Sequence, residues 1–337
     1  MEKKEIRWGL LGAGIILDRW MKGARQVEDM NIVAISSRTM ETAKKMAERF
    51  DIPEAITYDE MIARNDIDVV YIPVPHPGHK EPAIRAMNSG KSVLVEKPAG
   101  VGAAEAEEMI ARAKKNNVFF MEAVWTRFFP IIDMIKARIG EKGIGEVRAM
   151  HSSFAYRIPD DCGGRLVDPA TAGGGLLDVG VYNLHFSRMI FEKDPVALTG
   201  LMSMNTDHLH LMVDEQESYI AQYDNGALSV MTNAIRTEIP DTAYIYGTKG
   251  RIIVPSFWKP SEAQVIIGDQ EETIKAPVPQ KIEGVEDEGY QFEIAYVNDC
   301  LRKGIKESPL MPWEATLSVL KQCDKLRNDW NYKYPFE

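Results

Sequence analysis

The chain has 337 residues, enough for two ordinary domains that each bury a core. Hydrophobic residues make up 45% and charged residues 27%, a globular mixture, and no apolar run approaches the ~20 residues that span a bilayer. A formal net charge of −10 disfavours nucleic acid as a partner, whereas an anionic cofactor is compatible if local cations and helix N-termini hold it.

The charged start, Met1 to Glu5, is followed by an apolar stretch too short for a signal peptide, which runs into a glycine turn with no small-residue cleavage site. The cytoplasm is the expected location. Cys162, Cys300 and Cys323 are odd in number and not closely spaced, which argues against a disulfide framework and against a CxxC metal site.

In chain order, residues 6–12 predict a buried strand and 15–27 a helix; 31–37 is a second strand and 40–50 a second helix, stopped near Pro53. Strands follow at 66–73 and 91–96 with a helix at 81–89 between them, then a helix at 103–116 and a strand at 118–122. Short apolar runs alternating with helical stretches indicate βαβ units and a parallel sheet. From Val147 the strands lengthen and alternate. Residues 218–223 and 227–234 flank Asp224-Asn225-Gly226 and predict a hairpin, as do the segments on either side of Gly247-Thr-Lys-Gly250. Helices near 288–302 and 313–330 close the chain. The expected architecture is α/β: a doubly wound Rossmann domain over 1–124, then an α+β substrate domain over 125–337 with a large, mostly antiparallel sheet.

Gly12-Ala-Gly14 sits between the first strand and first helix, where a dinucleotide fingerprint belongs. Leu17 occupies the third glycine position, so the match is partial. At the end of the second strand, Ser36-Ser37-Arg38-Thr39 has no acid to accept from a ribose 2′-hydroxyl. Arg38 and the hydroxyls suit a 2′-phosphate instead, which favours NADP, with NAD as the alternative; the plain reading of Arg38 is a solvated loop arginine. The loop from Pro73 to His79 follows a parallel strand at the edge where such sheets bind ligands, and His79 equally fits the start of the next helix. The cofactor-binding set is Gly12, Gly14, Ile15, Ile16, Ser37, Arg38, Pro73, His76, His79, Glu96 and Lys97.

Two further segments are specific: Glu96-Lys97-Pro98, and Gly173-Gly-Gly-Leu-Leu-Asp178-Val-Gly-Val-Tyr182. With the N-terminal glycines they resemble the glucose–fructose oxidoreductase and inositol dehydrogenase (Gfo/Idh/MocA) family. The stretches Val95-Glu-Lys-Pro-Ala-Gly-Val101 and Phe119-Phe-Met-Glu-Ala-Val-Trp-Thr-Arg-Phe-Phe-Pro130 are most similar to its dimeric dihydrodiol dehydrogenase branch, which includes NADP-linked D-xylose dehydrogenase. The resemblance spans nearly the whole chain. It implies that Lys97, Tyr182 and Asp178 are catalytic and that Trp125, Phe154, Tyr182 and Trp258 line the substrate pocket. Thr42 stands where that branch tends to place a second arginine, which weakens the NADP preference.

Dehydrogenation moves a hydride to nicotinamide while a base takes the hydroxyl proton. Asp178 and Tyr182 are four apart and, if helical, share a face at about 5–6 Å between Cβ atoms. A lysine cation lowers a neighbouring phenol's pKa from about 10, so Tyr182 exchanges the proton, Lys97 polarises the substrate oxygen and Asp178 orients them; Lys97 as the base is the alternative. Taken singly, Lys97 reads as a surface lysine and Tyr182 as a core aromatic. The three glycines before Asp178 form either a simple turn or a close backbone approach to substrate. His185, His208 and His210 make no trustworthy ligand set, so no metal is expected. The resemblance implies a homodimer or higher homo-oligomer paired through the open face of the antiparallel sheet, which makes 125–337 the dimerisation domain as well; the segment from Ala227 to Thr232 is apolar on both faces, compatible with a buried face. The expected activity is oxidation of a sugar or cyclic diol; the alternatives are reduction of a dicarbonyl or anhydro-sugar, or a non-catalytic NADP-binding sensor.

Overall fold

The computed structural model describes residues 4–159, 163–204, 212–276 and 289–337; Cys162, His208 and His210 lie outside the described residues. The apolar runs near the N-terminus form β1 (Ile6–Leu11), β2 (Met30–Ser36), β3 (Glu54–Ala55), β4 (Val69–Ile72), β5 (Ser92–Glu96) and β6 (Phe120–Ala123). They pair in parallel in the order β3-β2-β1-β4-β5-β6. Every residue of β4, β5 and β6 is buried, as a sheet covered on both faces requires. The connecting helices are α1 (Ile16–Ala24), α2 (Met40–Phe50), α3 (Tyr58–Ala63), α4 (Lys80–Asn88) and α5 (Ala103–Asn116). The strand order reverses between β1 and β4, so the loops at their carboxyl ends flank the crevice where such sheets take ligands. Helix α3 is absent from the sequence reading. Its six residues are too short to display a period, although Thr57 and Glu60 mark its start with a capping box.

The next segment holds α6 (Pro130–Lys136), β7 (Val147–Arg157), α7 (Val181–Phe191), β8 (Ala197–Met204), β9 (Asp214–Gln222), β10 (Leu228–Ala234), β11 (Arg236–Ile239), β12 (Ala243–Gly247), β13 (Gly250–Val254), β14 (Glu262–Ile267) and β15 (Gln270–Lys275). The strands form one nine-stranded sheet in the order β15-β14-β13-β12-β7-β10-β9-β8, with β11 on β7. Both expected hairpins are present, β9–β10 and β12–β13. One pair departs from the antiparallel pattern: β10 runs parallel to β7. Helix α7 packs on β7 and β10. On the other face Ile220, Val230, His151, Tyr244 and Ile253 stand opposite one another across five strands.

The chain closes with α8 (Tyr290–Arg302) and α9 (Trp313–Asp329). The sequence reading drew one boundary between 124 and 125; the compact units are Met1–Trp125 with Pro279–Leu317, and Thr126–Val278 with Ser318–Glu337. The first unit is discontinuous because α8 packs on α1 and β1. Trp8 donates to Asn298 at 2.9 Å, and a Cβ on Gly23 would lie only 2.5 Å from Tyr290 Cβ. Such contacts pair residues nearly 300 positions apart, beyond any local signal. Among the described residues no helix is long and apolar enough to cross a membrane.

Candidate active site

In the first unit, β1 ends in the turn that leads to α1. Gly12 has φ +135°, and a Cβ there would meet Pro73 O at 2.9 Å and Val74 Cγ1 at 3.0 Å; one on Gly14 would lie 3.2 Å from Pro73 O. The glycines therefore let this turn lie against the loop that follows β4. Helix α1 has no side-chain cap at its N-terminus, and its first-turn Asp18 is neutralised by Arg49 at 2.7 Å. An uncapped helix start behind a glycine cradle at the switch point suits a dinucleotide pyrophosphate, so the residues present fit an NAD(P) cofactor. Ile15 is 90% exposed on that turn. At the end of β2, Ser36 is buried, Ser37 half-buried and Arg38 exposed. The Thr42 hydroxyl accepts from Thr39 at 2.8 Å and its N–H caps onto Thr39, so Thr42 belongs to the start of α2.

Lys97, half-buried, follows the last residue of β5, and the Lys97–Pro98 peptide is cis. Glu96 is buried; it accepts from the Tyr71 hydroxyl at 2.6 Å and from the Lys97 N–H at 3.1 Å. Glu122, projecting from β6, accepts from the Ala99 N–H at 3.0 Å and from the Thr316 hydroxyl at 2.8 Å. The N–H groups on either side of Pro98, which has none, are thus both held by buried carboxylates. Burial and the charge of Glu96 raise the Tyr71 pKa, which keeps that phenol a donor. Behind them lies Glu293 of α8, whose carboxyl oxygens have no hydrogen-bond partner among the described residues. Burial, then the charges of Glu96 and Glu122, push its pKa well up.

In the second unit, Asp178 lies in a π-helical turn, Leu176–Gly180, that runs into α7 carrying Tyr182. The wider turn breaks the α-helical i,i+4 geometry expected of Asp178 and Tyr182. Asp178 is buried and accepts from the Tyr156 hydroxyl at 2.6 Å and from Arg165 Nη2 at 2.8 Å. Burial and then the Asp178 charge raise the Tyr156 pKa, so its hydroxyl remains a donor. The Tyr182 ring stands edge-on to Phe154 (centroids 5.5 Å) and to Trp258 (6.2 Å), which stack on each other at 4.8 Å. Trp258 is fixed by its indole N–H, which donates to Asp241 at 2.5 Å.

The glycines before Asp178 also have a structural reason. Gly174 has φ +116°, and a Cβ there would clash with the Asp214 carboxyl; one on Gly175 would lie 2.8 Å from Glu217 Oε2. Asp214 Oδ2 accepts the Leu176 N–H at 2.6 Å, and Asn233 donates to Glu217. Asp214 and Glu217 are neighbouring buried acids whose titrations influence each other. Asp214 Oδ1 and Glu217 Oε1 have no hydrogen-bond partner among the described residues, so the pair is short of donors and favours holding a proton. Burial pushes the Asp214 pKa up to about 6, and burial together with the Asp214 charge pushes Glu217 well above the carboxylate range.

Of the residues expected from sequence, the first unit gathers Gly12, Gly14, Pro73, His76, His79, Glu96 and Lys97 on its carboxyl-edge loops, and the second gathers Asp178, Tyr182, Phe154 and Trp258. Trp125 belongs to the first unit at 1% exposure, stacked on Tyr290 at 4.2 Å with the Arg19 guanidinium 5.4 Å from its ring. Core packing accounts for it there. Glu122, Tyr156, Arg165, Asp214, Glu217 and Glu293 escaped the sequence reading. A carboxylate inside the apolar strand Phe119-Phe-Met-Glu122-Ala was a readable signal, because such a group needs buried donors; the others carried none.

Residues 6–124 match a family model described as an oxidoreductase family with NAD-binding Rossmann fold, and residues 132–253 match the GFO/IDH/MocA C-terminal domain. Trans-1,2-dihydrobenzene-1,2-diol dehydrogenase from Mus musculus is 34% identical over 95% of this chain and 96% of that protein. Its Homo sapiens counterpart is 33% identical over 98% of each. An aldose–aldose oxidoreductase from Caulobacter crescentus, solved with glycerol, superposes with a TM-score of 0.84 at 24% identity, covering 96% of this chain and 97% of that one. A 3-ketoreductase from Actinomadura kijaniata, solved with NADP and TDP-benzene, gives 0.80 at 24% identity over 96% and 98%. These two superpositions show the fold.

Proposed function

The chain belongs to the GFO/IDH/MocA oxidoreductase family and is an NAD(P)-dependent oxidoreductase, and from that premise we propose that it is an NADP-linked dehydrogenase acting on CH–OH groups of a sugar or cyclic diol, of the D-xylose or trans-dihydrodiol type. The observation that carries this reading is the aromatic wall of Phe154, Tyr182 and Trp258 in the same unit as the Asp178 carboxylate held by Tyr156 and Arg165. Aromatic faces suit the apolar face of a ring, and a fixed carboxylate suits its hydroxyls. The diol named for the relatives of about one-third identity fits the same description.

When bound, the nicotinamide accepts or gives the hydride. Tyr182 exchanges the proton with the substrate oxygen, and Lys97 Nζ polarises that oxygen. Asp178 orients the hydroxyl, its own geometry fixed by Tyr156 and Arg165. Ser37 and Arg38, with no carboxylate beside them, take the 2′-phosphate.

The test is NADPH formation by the purified protein on D-xylose, D-glucose, myo-inositol and a trans-dihydrodiol, repeated with NAD. Turnover of a pentose or diol with NADP supports the proposal; a silent panel from protein that still binds NADPH rejects this substrate class and favours a sensor. Arg38→Ala separates the cofactor part. Loss of a charge-assisted contact of about 1.5–3 kcal/mol raises the KM for NADP tenfold or more and leaves that for NAD unchanged. An equal change for both cofactors would remove the phosphate role.

A second copy of the chain covers the open sheet face, where Ile220 and Tyr244 are 43% and 37% exposed in one row with Val230, His151 and Ile253, apolar but for the histidine. Ile220→Glu is expected to shift light scattering from dimer to monomer; a wild-type protein that is already monomeric at low micromolar concentration contradicts this.

A further inference from the structure

His79 stands where helix α4 begins, fully buried, with each ring nitrogen against a backbone carbonyl: Nδ1 is 2.8 Å from Pro98 O and Nε2 is 2.8 Å from Val74 O. A carbonyl oxygen only accepts. In a neutral imidazole one nitrogen is an acceptor, and its lone pair would face a carbonyl lone pair at that distance. Both contacts are bonds only when both nitrogens carry hydrogen.

We propose that His79 is a buried imidazolium that acts as a positioning residue, tying the loop after β4 to the Lys97–Pro98 loop. One end of this link is Val74, which with Pro73 packs against Gly12 of the cofactor turn. The other is the carbonyl next to Lys97. The cation thereby sets the spacing between the turn that receives the cofactor and the lysine assigned to the substrate oxygen, so its kinetic part rests on the role given to Lys97 above. On the elements packed against α4, the charged and titratable groups are Tyr71 on β4, Glu96 on β5 with Lys97 after it, and Glu105, Glu107, Glu108, Arg112, Lys114 and Lys115 on α5. His76, with its ring centroid 6.0 Å away, Lys80, Glu81 and Arg85 lie on its own stretch.

The charge state is read directly, without activity, from long-range nitrogen–proton NMR spectra of the whole protein. The His79 signals are identified by their loss in His79→Gln or, if that variant does not fold, by through-space contacts from the ring to Pro98. The expected result is that both ring nitrogens keep N–H-type shifts from about pH 6 to about pH 8, on either side of the ordinary histidine pKa of about 6.5. A ring nitrogen bearing a lone pair at neutral pH overturns the proposal. For the positioning role, His79→Gln is expected to lower kcat about tenfold or more while raising the KM for cofactor, because the two loops lose one shared reference. A doubly protonated His79 whose replacement leaves both constants unchanged overturns that role even if Lys97 proves catalytic.

Discussion

The loop bearing Lys97 and the turn bearing Asp178 both rest on buried carboxyls, but those carboxyls meet different partners. In the first unit, Glu96 and Glu122 each accept from one backbone N–H and one hydroxyl. In the second, Asp214 accepts one backbone N–H, its Oδ1 has no partner among the described residues, and it titrates together with Glu217. Donors satisfy a carboxylate with no need of a proton, whereas two neighbouring buried carboxyls short of donors favour holding one. The Lys97 loop is therefore set by shape and donor supply, and the Asp178 turn is set by shape and protonation.

The largest expected effect tests whether these two supports serve one reaction. Lys97→Met and Tyr182→Phe remove a reacting group from each region and leave its backing intact; turnover is expected to fall about 10²–10⁴-fold with NADPH binding preserved. Near-normal turnover in either variant would remove that region from the chemistry. A smaller effect probes the donor-satisfied side. Glu122→Leu strands the Ala99 N–H and the Thr316 hydroxyl and is expected to cost about 1–3 kcal/mol in denaturant unfolding, whereas Glu122→Gln keeps an acceptor and retains most of it. Equal losses would mean that hydrogen-bond acceptance at Glu122 is not what holds the loop.

The smallest effect, and the one specific to the acid pair, lies in the pH dependence of stability. Folding raises the Asp214 pKa to about 6 and Glu217 further, so above the ordinary carboxylate range the folded protein binds more protons than the unfolded chain. The stabilisation is fully present at low pH and is lost as pH rises through about 6 and beyond, with a slope of at most about 1.4 kcal/mol per pH unit for each proton. Glu293, also raised, contributes with the same sign, so the difference between wild type and Glu217→Gln isolates the pair. The variant is expected to show the flatter profile from about pH 4, the ordinary carboxylate range, to above about pH 6. Superimposable profiles would rule out a proton held by the pair.

Much of the first unit was legible because its signals are local. The predicted bounds of α2 and α5 agree with the structure, and the glycine turn and Glu96-Lys97-Pro98 stand where pattern put them, as do the two hairpins of the second unit, placed by their turn chemistry. The parallel pairing of β10 with β7 was hidden, because each strand alternates in the same way whichever direction its neighbour runs. The return of α8 to the first unit was hidden for a similar reason: an amphipathic helix announces a buried face without naming what buries it.

The sequence by itself determined the fold class, the place of the glycine turn after β1 and the lack of a carboxylate at the end of β2, since each depends on neighbours a few residues apart, while Lys97, Asp178 and Tyr182 were singled out by a resemblance spread along the chain. Only the tertiary structure decided what holds those groups: Glu122 beneath the Ala99 N–H, the Asp214–Glu217 pair beneath the glycines, and His79 between two carbonyls. Burial and hydrogen bonding in three dimensions set the protonation and orientation of a side chain, and neither is encoded in its position along the chain.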